Sequence, residues 1–411
     1  MVVEGFDWGP GVTKLIIKLD KEVKAGAVSA GDFTVTVSRK ALDWTTFQPT
    51  VAEETRKVTA AYVSAEDGAP ASDKSSFVTV EMTVGPPDTG SPFYFYINLN
   101  KGEMSNSWAD PYEYKIVYSG SALESFKVEG KAAAKVMPLA DKFYTTGKFT
   151  ASDGVSLQYA SYAPPADAAK KPLLIWLHGM GEGSSGGASD PTVVLLGNRV
   201  TQLVNTEIQT LMGGAYVLAP QAPTMWMDDG ESRLSMTGAT IYLTALTELI
   251  KKYINENPAI DTSRVYIGGC SNGGYMTMKM ILTYPDMFAA AYPICEAYLD
   301  SAITDTQIES IKHMPIWFTQ AKSDATVKYD KHAVPTYKRL IKAGAKDAHL
   351  SLFDTVVDTS GLYKDAAGAP YKYDGHFSWI YALNNECVIK AGANEVTLFR
   401  WMAAKTKTNP L

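Results

Sequence analysis

Apolar and polar residues alternate with a period of two through the first third of the chain. The runs are Thr13–Leu19, Phe33–Val37, Lys57–Val63, Phe77–Val84, Phe93–Ile97 and Tyr114–Tyr118. A period of two sends successive side chains to opposite faces, so each run predicts a strand with one buried face. Turn-forming clusters such as Gly85-Pro86-Pro87-Asp88-Thr89-Gly90 separate them. Six or seven short strands in this space predict an all-β, immunoglobulin-like sandwich over residues 1–130. No Cys-Trp-Cys pattern accompanies it, and no cluster of titratable groups suggests chemistry there.

Beyond residue 130 the period changes. Gly130–Pro138 reads as the junction, residues 131–150 as a linking segment, and 151–411 as a second domain. Val155–Tyr162 is its first expected strand. Pro172–Leu177 and Ala215–Pro220 are continuously apolar, as expected of strands covered on both faces. Thr240–Ile254 carries Ile241, Leu243, Leu246, Leu249, Ile250 and Tyr253 at helical spacing. Ala289–Ile294, Pro315–Thr319 and His349–Phe353 add three later strands, and Asn394–Ala404 predicts a closing helix. Strands alternating with helices predict a mostly parallel α/β sheet.

The sharpest feature is Val265-Tyr266-Ile267-Gly268-Gly269-Cys270-Ser271-Asn272-Gly273-Gly274. A β-branched and aromatic run ends in glycines and a serine, and a helical pattern follows. Gly269-x-Ser271-x-Gly273 therefore has the strand–turn–helix context of a nucleophile elbow. In such a turn the serine backbone is strained, and side chains two positions away would meet neighbouring backbone.

A serine hydroxyl needs a base and a group to orient that base, in chain order Ser, acid, His. Four of the five histidines follow Ser271. His313 and His349 fall at the wrong ends of strands, and His332 starts an expected helix. His376 lies in a polar loop after the last strand and is the expected base. Asp324, the sole carboxylate of Gln320–Ala325, is the expected acid; Asp330 is the weaker candidate, and Asp374 is too close in sequence to His376. The oxyanion donors are expected at the backbone N–H of Asn272, which opens a helix, and of Met180 in the loop His178-Gly179-Met180-Gly181-Glu182-Gly183, with Gly179 as the competing donor.

Composition narrows the partners. The 411 residues are 46% hydrophobic and 20% charged, with a net charge of −6 and no basic run. A nucleic-acid partner is not expected, and no stretch approaches the ~20 apolar residues of a membrane span. No cofactor is called for, and none of the three cysteines has metal-ligand spacing, so no metal is expected either. Cys295 and Cys387 are the pair to bridge if a disulfide exists; three buried thiols are the equal alternative. Met1–Gly5 lacks the basic and apolar regions of a signal peptide, which fits either a cytoplasmic protein or an export signal outside this sequence.

The loop His178-Gly179-x-Gly181-Glu182, Ala219-Pro220-Gln221 followed by Trp226, the Gly-Cys-Ser-Asn-Gly-Gly elbow and His376-x-x-Trp379 resemble the α/β-hydrolase esterases related to polyhydroxybutyrate depolymerases and feruloyl esterases. That group includes predicted peptidases. The resemblance rests on motifs over residues 150–405. The β-rich region resembles, in architecture only, the immunoglobulin-like N-terminal domain of certain bacterial esterases. It implies an exported carboxylester hydrolase. Met180, where such loops more often carry a small residue, implies a narrower pocket.

Trp226, Trp379 and Glu182 are the expected pocket residues; for either tryptophan a core position is the competing reading. Residues 355–375 form a long aperiodic segment expected to face substrate. No apolar insertion between Ile294 and Pro315 suggests a lid, which favours short acyl chains or polymer ends. Association of copies through the β domain is a further expectation. Three functions stay open: a serine carboxylesterase, a serine peptidase on the same three residues, and a non-catalytic binding protein with a hydrolase-like domain.

Overall fold

The computed structural model describes residues 1–100, 103–184, 187–391 and 394–407. They divide into two compact units, Met1–Asp141 and Lys142–Leu411.

The first unit is built from β1 (Val2–Phe6), β2 (Gly9–Lys24), β3 (Phe33–Asp43), β4 (Gln48–Arg56), β5 (Val58–Ser64), β6 (Lys74–Met82), β7 (Tyr94–Asn100), β8 (Glu103–Trp108), β9 (Tyr112–Tyr118) and β10 (Phe126–Lys131). Two four-stranded antiparallel sheets, β1-β2-β6-β5 and β10-β9-β3-β4, enclose a core that includes Leu15, Val35, Val37, Val78, Val80 and Ile116. β9 shows the alternation plainly: Tyr112, Tyr114, Ile116 and Tyr118 are buried, while Glu113 and Lys115 are exposed. Every run expected from the period of two falls on a strand and overruns it by at most two residues at either end. The strands it did not signal include β4 and β10, which sit at the edges of their sheet and bury little of their length.

Arg56, at the end of β4, is 3% exposed. Its guanidinium donates to the carbonyls of Val12, Thr83 and Gly90 and to Tyr112 Oη. Buried donors of this kind are tolerated only when paired, and these bonds tie together segments distant in sequence.

The unit extends past residue 130. β10 runs to Lys131 and pairs with β9, and the expected linker is bonded to β1. Val3 N–H donates to Val136 O and Val136 N–H to Met1 O, both at 2.9 Å.

The second unit contains β11 (Tyr144–Thr150), β12 (Ser156–Tyr162), β13 (Lys171–Leu177), β14 (Tyr216–Gln221), β15 (Ile260–Cys270), β16 (Ala290–Ile294), β17 (Ile316–Ala321) and β18 (Ala348–Phe353) in one sheet of order β11-β12-β14-β13-β15-β16-β17-β18. β11, β12 and β14 pair antiparallel, and every other neighbouring pair is parallel. Its helices are α1 (Thr192–Gly197), α2 (Thr206–Met212), α3 (Leu243–Glu256), α4 (Asn272–Thr283), α5 (Asp305–Ile311), α6 (Ala333–Lys342), α7 (Trp379–Leu383) and α8 (Leu398–Ala403). β13 to β17 are buried along nearly their whole length by side chains from both faces.

The closing segment differs from expectation. Asn394–Thr397 is a strand, β20, paired with β19 (Val388–Ala391), and only Leu398–Ala403 is helical. Val396 and Thr397 are β-branched and suit the extended conformation. β11 was also unsignalled: Tyr144-Thr145-Thr146-Gly147-Lys148-Phe149-Thr150 is an edge strand with little apolar content.

Candidate active site

Ser271 occupies the turn between β15 and α4 with φ 57° and ψ −115°. Few non-glycine residues hold positive φ, so the surroundings must fix it. They do so through its own peptide groups: Ser271 N–H donates to Ile294 O at 2.9 Å, and Ser271 O accepts from Tyr275 N–H at 2.8 Å and Ala297 N–H at 3.3 Å. The flanking glycines are required by close approach. A Cβ on Gly269 would lie 2.3 Å from Leu177 O, and one on Gly273 1.9 Å from the same atom. The start of α4 is thus laid directly on the end of β13.

Asp324 follows β17 and is 2% exposed. Its Oδ1 accepts from Thr326 N–H at 2.9 Å and Val327 N–H at 2.8 Å. Its Oδ2 accepts from Gln320 Nε2 at 3.0 Å and meets His376 Nδ1 at 2.8 Å. The carboxylate is held rigidly and, in turn, fixes the imidazole through Nδ1, leaving Nε2 for other work. Trp379 stands edge-on to His376 at 6.0 Å between ring centres. Asp374 binds the His376 backbone N–H at 2.8 Å, so it shapes the loop rather than the ring. Asp330 is exposed.

Ser271 and Asp324 lie beyond the carboxyl ends of β15 and β17, with β16 between them. Cys295, which follows β16, is their common neighbour: its thiol lies among the Ser271 backbone, Asp324 and the Ser378 side chain. Burial pushes this thiol well up, so it is a packing group and not a second nucleophile. No hydrogen bond joins the Ser271 hydroxyl to His376 among the described residues. Unliganded sites are often open in this way. All three cysteines are buried and free, which removes the Cys295–Cys387 bridge.

Asn272 is the first residue of α4, and Met180 opens a single 3-10 turn (Met180–Glu182). N–H groups at such positions have no acceptor within the helix. The Met180 peptide is oriented from behind. Ala222 N–H donates to His178 Nε2 at 3.0 Å, so the proton is on Nδ1, which donates to Gly179 O at 2.6 Å. Complete burial lowers the His178 pKa to about 4 and keeps the ring neutral. The Gly179–Met180 peptide is planar and trans, so with its C=O turned to the buried imidazole, its N–H points the opposite way.

Two expected pocket residues are buried. Trp226 is 0% exposed, with His178 at 5.1 Å and Tyr242 at 5.7 Å between ring centres, and belongs to the core. Glu182 is 3% exposed, its carboxyl packed against Gly179 and Gly197. Trp379, 6% exposed, is beside His376. The segment 355–375 is organised around Asp358, whose carboxylate accepts from Gly361 N–H at 2.9 Å and Ser360 Oγ at 2.8 Å. Gln221, named above only as part of a motif, has a bracing role: its Nε2 donates to Glu182 O at 2.9 Å and Ala188 O at 2.8 Å.

The sheet order and the strained serine between strand and helix define an α/β-hydrolase fold that follows, along the chain, an immunoglobulin-like sandwich. Residues 1–124 match the family model described as the esterase Ig-like N-terminal domain, and residues 243–331 match the prolyl oligopeptidase family. The chain resembles a crystal structure of a thermostable esterase over 99% of both chains, with a TM-score of 0.76 and 23% identity. It is 28% identical to poly(3-hydroxyalkanoate) depolymerase C of Paucimonas lemoignei over 163 residues, 36% of this chain and 35% of that protein. It is 36% identical to acetylxylan esterase A of Emericella nidulans over 80 residues, 19% of this chain and 26% of that protein. The matches thus span about a third or less of these two curated relatives.

Proposed function

We propose that the chain is a serine carboxylesterase acting on short-acyl or polymer-derived esters. The observation that carries this is the buried Asp324 bonded to His376 Nδ1 at 2.8 Å, at the sheet edge that also bears the strained Ser271. In this reading Ser271 Oγ attacks the ester carbonyl and passes its proton to His376 Nε2. The tetrahedral oxyanion is held by the N–H groups of Met180 and Asn272. His376 then protonates the leaving alkoxide, and water, activated by the same imidazole, releases the acid from the acyl-enzyme.

Esterases among the relatives favour ester over amide turnover. The alternative of a serine peptidase draws on the prolyl oligopeptidase match over 243–331, but an amide demands fuller protonation of its leaving nitrogen. Polymeric esters are suggested by the relatives' names, a poly(3-hydroxyalkanoate) depolymerase and an acetylxylan esterase. None of the described helices is long and apolar enough to cross a membrane. Export, the catalytic assignment of the second unit and self-association through the β unit belong to this proposal. Cell fractionation, separate expression of the units and light scattering test them in that order.

The decisive assay sets p-nitrophenyl acetate and butyrate beside a panel of peptide amides. Ester turnover lost in Ser271→Ala, with circular dichroism unchanged, supports the reading. Amide turnover without ester turnover transfers it to a peptidase, and inactivity on both leaves a binding protein.

A further inference from the structure

β3 and β4 are joined by a tight turn whose side chains stand in solvent. Asp43 pairs with Gln48 across the hairpin, so the connection is Trp44-Thr45-Thr46-Phe47. Asp43 Oδ1 accepts from Thr45 N–H at 2.8 Å and Thr46 N–H at 3.3 Å, and Phe47 N–H donates to Asp43 O at 2.7 Å. Trp44 is 63% exposed and Phe47 46%. Their ring centres lie 6.4 Å apart with the planes at 79°, and Tyr96 of β7 stands 6.3 Å from Trp44 at 59°. Three aromatic rings thus meet at the tip of the hairpin.

Two further observations set this cluster apart from scattered exposed apolar residues. Phe47 has φ 54°. A bulky side chain is disfavoured there, and glycine would close the same turn with less strain. The fold therefore bears strain to keep a ring where no core receives it. The hairpin is also uncharged at its surface. From Ala41 to Ala52 the sole ionisable side chain is Asp43, and its carboxylate bonds the N–H groups of the turn itself. Thr45, Thr46, Gln48 and Thr50, all exposed, add hydroxyl and amide groups to the same hairpin.

Size and chemistry select the occupant. Aromatic side chains bury about 150–250 Å² each, so the exposed parts of Trp44, Phe47 and Tyr96 together offer roughly 200–300 Å². A stable interface between two chains takes about 800 Å² per partner, which excludes a second copy held by this patch alone. A sugar ring fits: it is uncharged, its C–H face packs on an aromatic face, and its hydroxyls both donate and accept. A polyester has acceptors only and would leave the acceptor atoms of the threonine and glutamine side chains unpaired. Rings crossed at 59° and 79° cannot lie together on a flat crystalline face, but they can hold a single chain.

We propose that Trp44, Phe47 and Tyr96 form a binding site for a single chain of a neutral polysaccharide, by which the β sandwich holds the protein on a polymer. This goes beyond ester hydrolysis and does not depend on it.

The test is electrophoresis of the full chain through native gels containing soluble xylan, glucomannan or mixed-linkage β-glucan. At least one polymer should retard the wild type. Trp44→Ala should raise the apparent Kd about tenfold or more, as loss of an aromatic anchor does. Phe47→Gly supplies a readout that a merely structural role would not move. It removes a ring and relaxes the turn, so the urea midpoint should hold or rise while polysaccharide binding falls. Turnover of p-nitrophenyl acetate should be unchanged in both variants, since neither residue enters the reaction scheme. A wild type that binds polysaccharide but cleaves no ester would remove the esterase reading and leave this one standing.

No retardation by any of the three polymers, or retardation that both variants keep in full, overturns the proposal. So does binding to poly(3-hydroxybutyrate) granules or to crystalline cellulose in place of the soluble chains. A dimer in light scattering that Trp44→Ala dissolves would assign the rings to a second copy and overturn it equally.

Discussion

Placing a single methyl group on Gly273 tests how the elbow is built. The added Cβ would lie 1.9 Å from Leu177 O, 2.4 Å from Leu177 C and 2.7 Å from His178 O. Non-bonded heavy atoms settle at about 3.5–4.0 Å for carbon pairs, so α4 and β13 must separate by roughly 1 Å or more. Neither side yields cheaply, because the atoms are backbone on both. Leu177 sits in a strand paired in parallel with β15. Overpacking a core costs about 1–3 kcal/mol when side chains can adjust. With backbone against backbone, Gly273→Ala is expected to cost about 3–5 kcal/mol, at the diagnostic end of single substitutions. In a unit of this size that is a fall in Tm of roughly 10 °C.

Activity should fall further than stability accounts for, because the end of β13 leads straight into the Met180 loop; a misplacement of about 1 Å can cost 10²-fold. Denaturant melts and ester turnover are measured together. Gly31→Ala serves as control: its Cβ would have nothing within 4 Å, so a change within about 0.5 kcal/mol is expected. A Gly273→Ala protein with wild-type midpoint and turnover would refute the claim that the elbow is set by glycine contact with β13.

Other consequences are equally measurable. Asp324→Asn should lower kcat by about 10⁴, as loss of an orienting carboxylate does elsewhere, with little change in folding; retained turnover would move the acid to another residue. Arg56→Leu removes the donor to Val12 O and Thr83 O, while Tyr112 Oη and Gly90 O keep their bond to each other, and should destabilise the first unit by about 3 kcal/mol in urea melts. Glu182 keeps its proton up to about pH 7 in the folded chain, against an ordinary value of 4.5. Its contribution to stability is therefore full below pH 4.5 and lost as pH rises through 7, about 3 kcal/mol in all. Glu182→Gln should gain on wild type over that window, and a pH-independent difference would contradict the assigned burial. The three thiols should ignore a disulfide reagent in the native protein and react together after denaturation.

What could be read from the chain depended on how local the governing physics was. The elbow was legible because Gly269, Ser271 and Gly273 answer to constraints within a few residues, and the strand before and helix after announce themselves by period. Asp324 and His376 followed from chain order and from being polar residues in loops at the correct ends of strands. Strands with one buried face were legible for the same reason; β4, β10 and β11 were not, because an edge strand that buries few of its side chains needs only a weak apolar signal.

The sequence by itself determined that the chain holds a β sandwich followed by a parallel α/β sheet with a serine at its crest, since hydrophobic period and glycine placement are properties of short segments. Only the tertiary structure decided that Glu182 and Trp226 are enclosed. Whether a carboxylate in a loop meets solvent or a neighbour depends on what lies across from it. Here that is Gly197 and Cys270, from two stretches of chain outside the loop, together with Gly179 of the loop itself. The same holds for the Met180 N–H, whose direction is set by an imidazole bonded to Ala222, more than forty residues away. Burial and orientation are consequences of contacts between distant segments, and no local pattern encodes them.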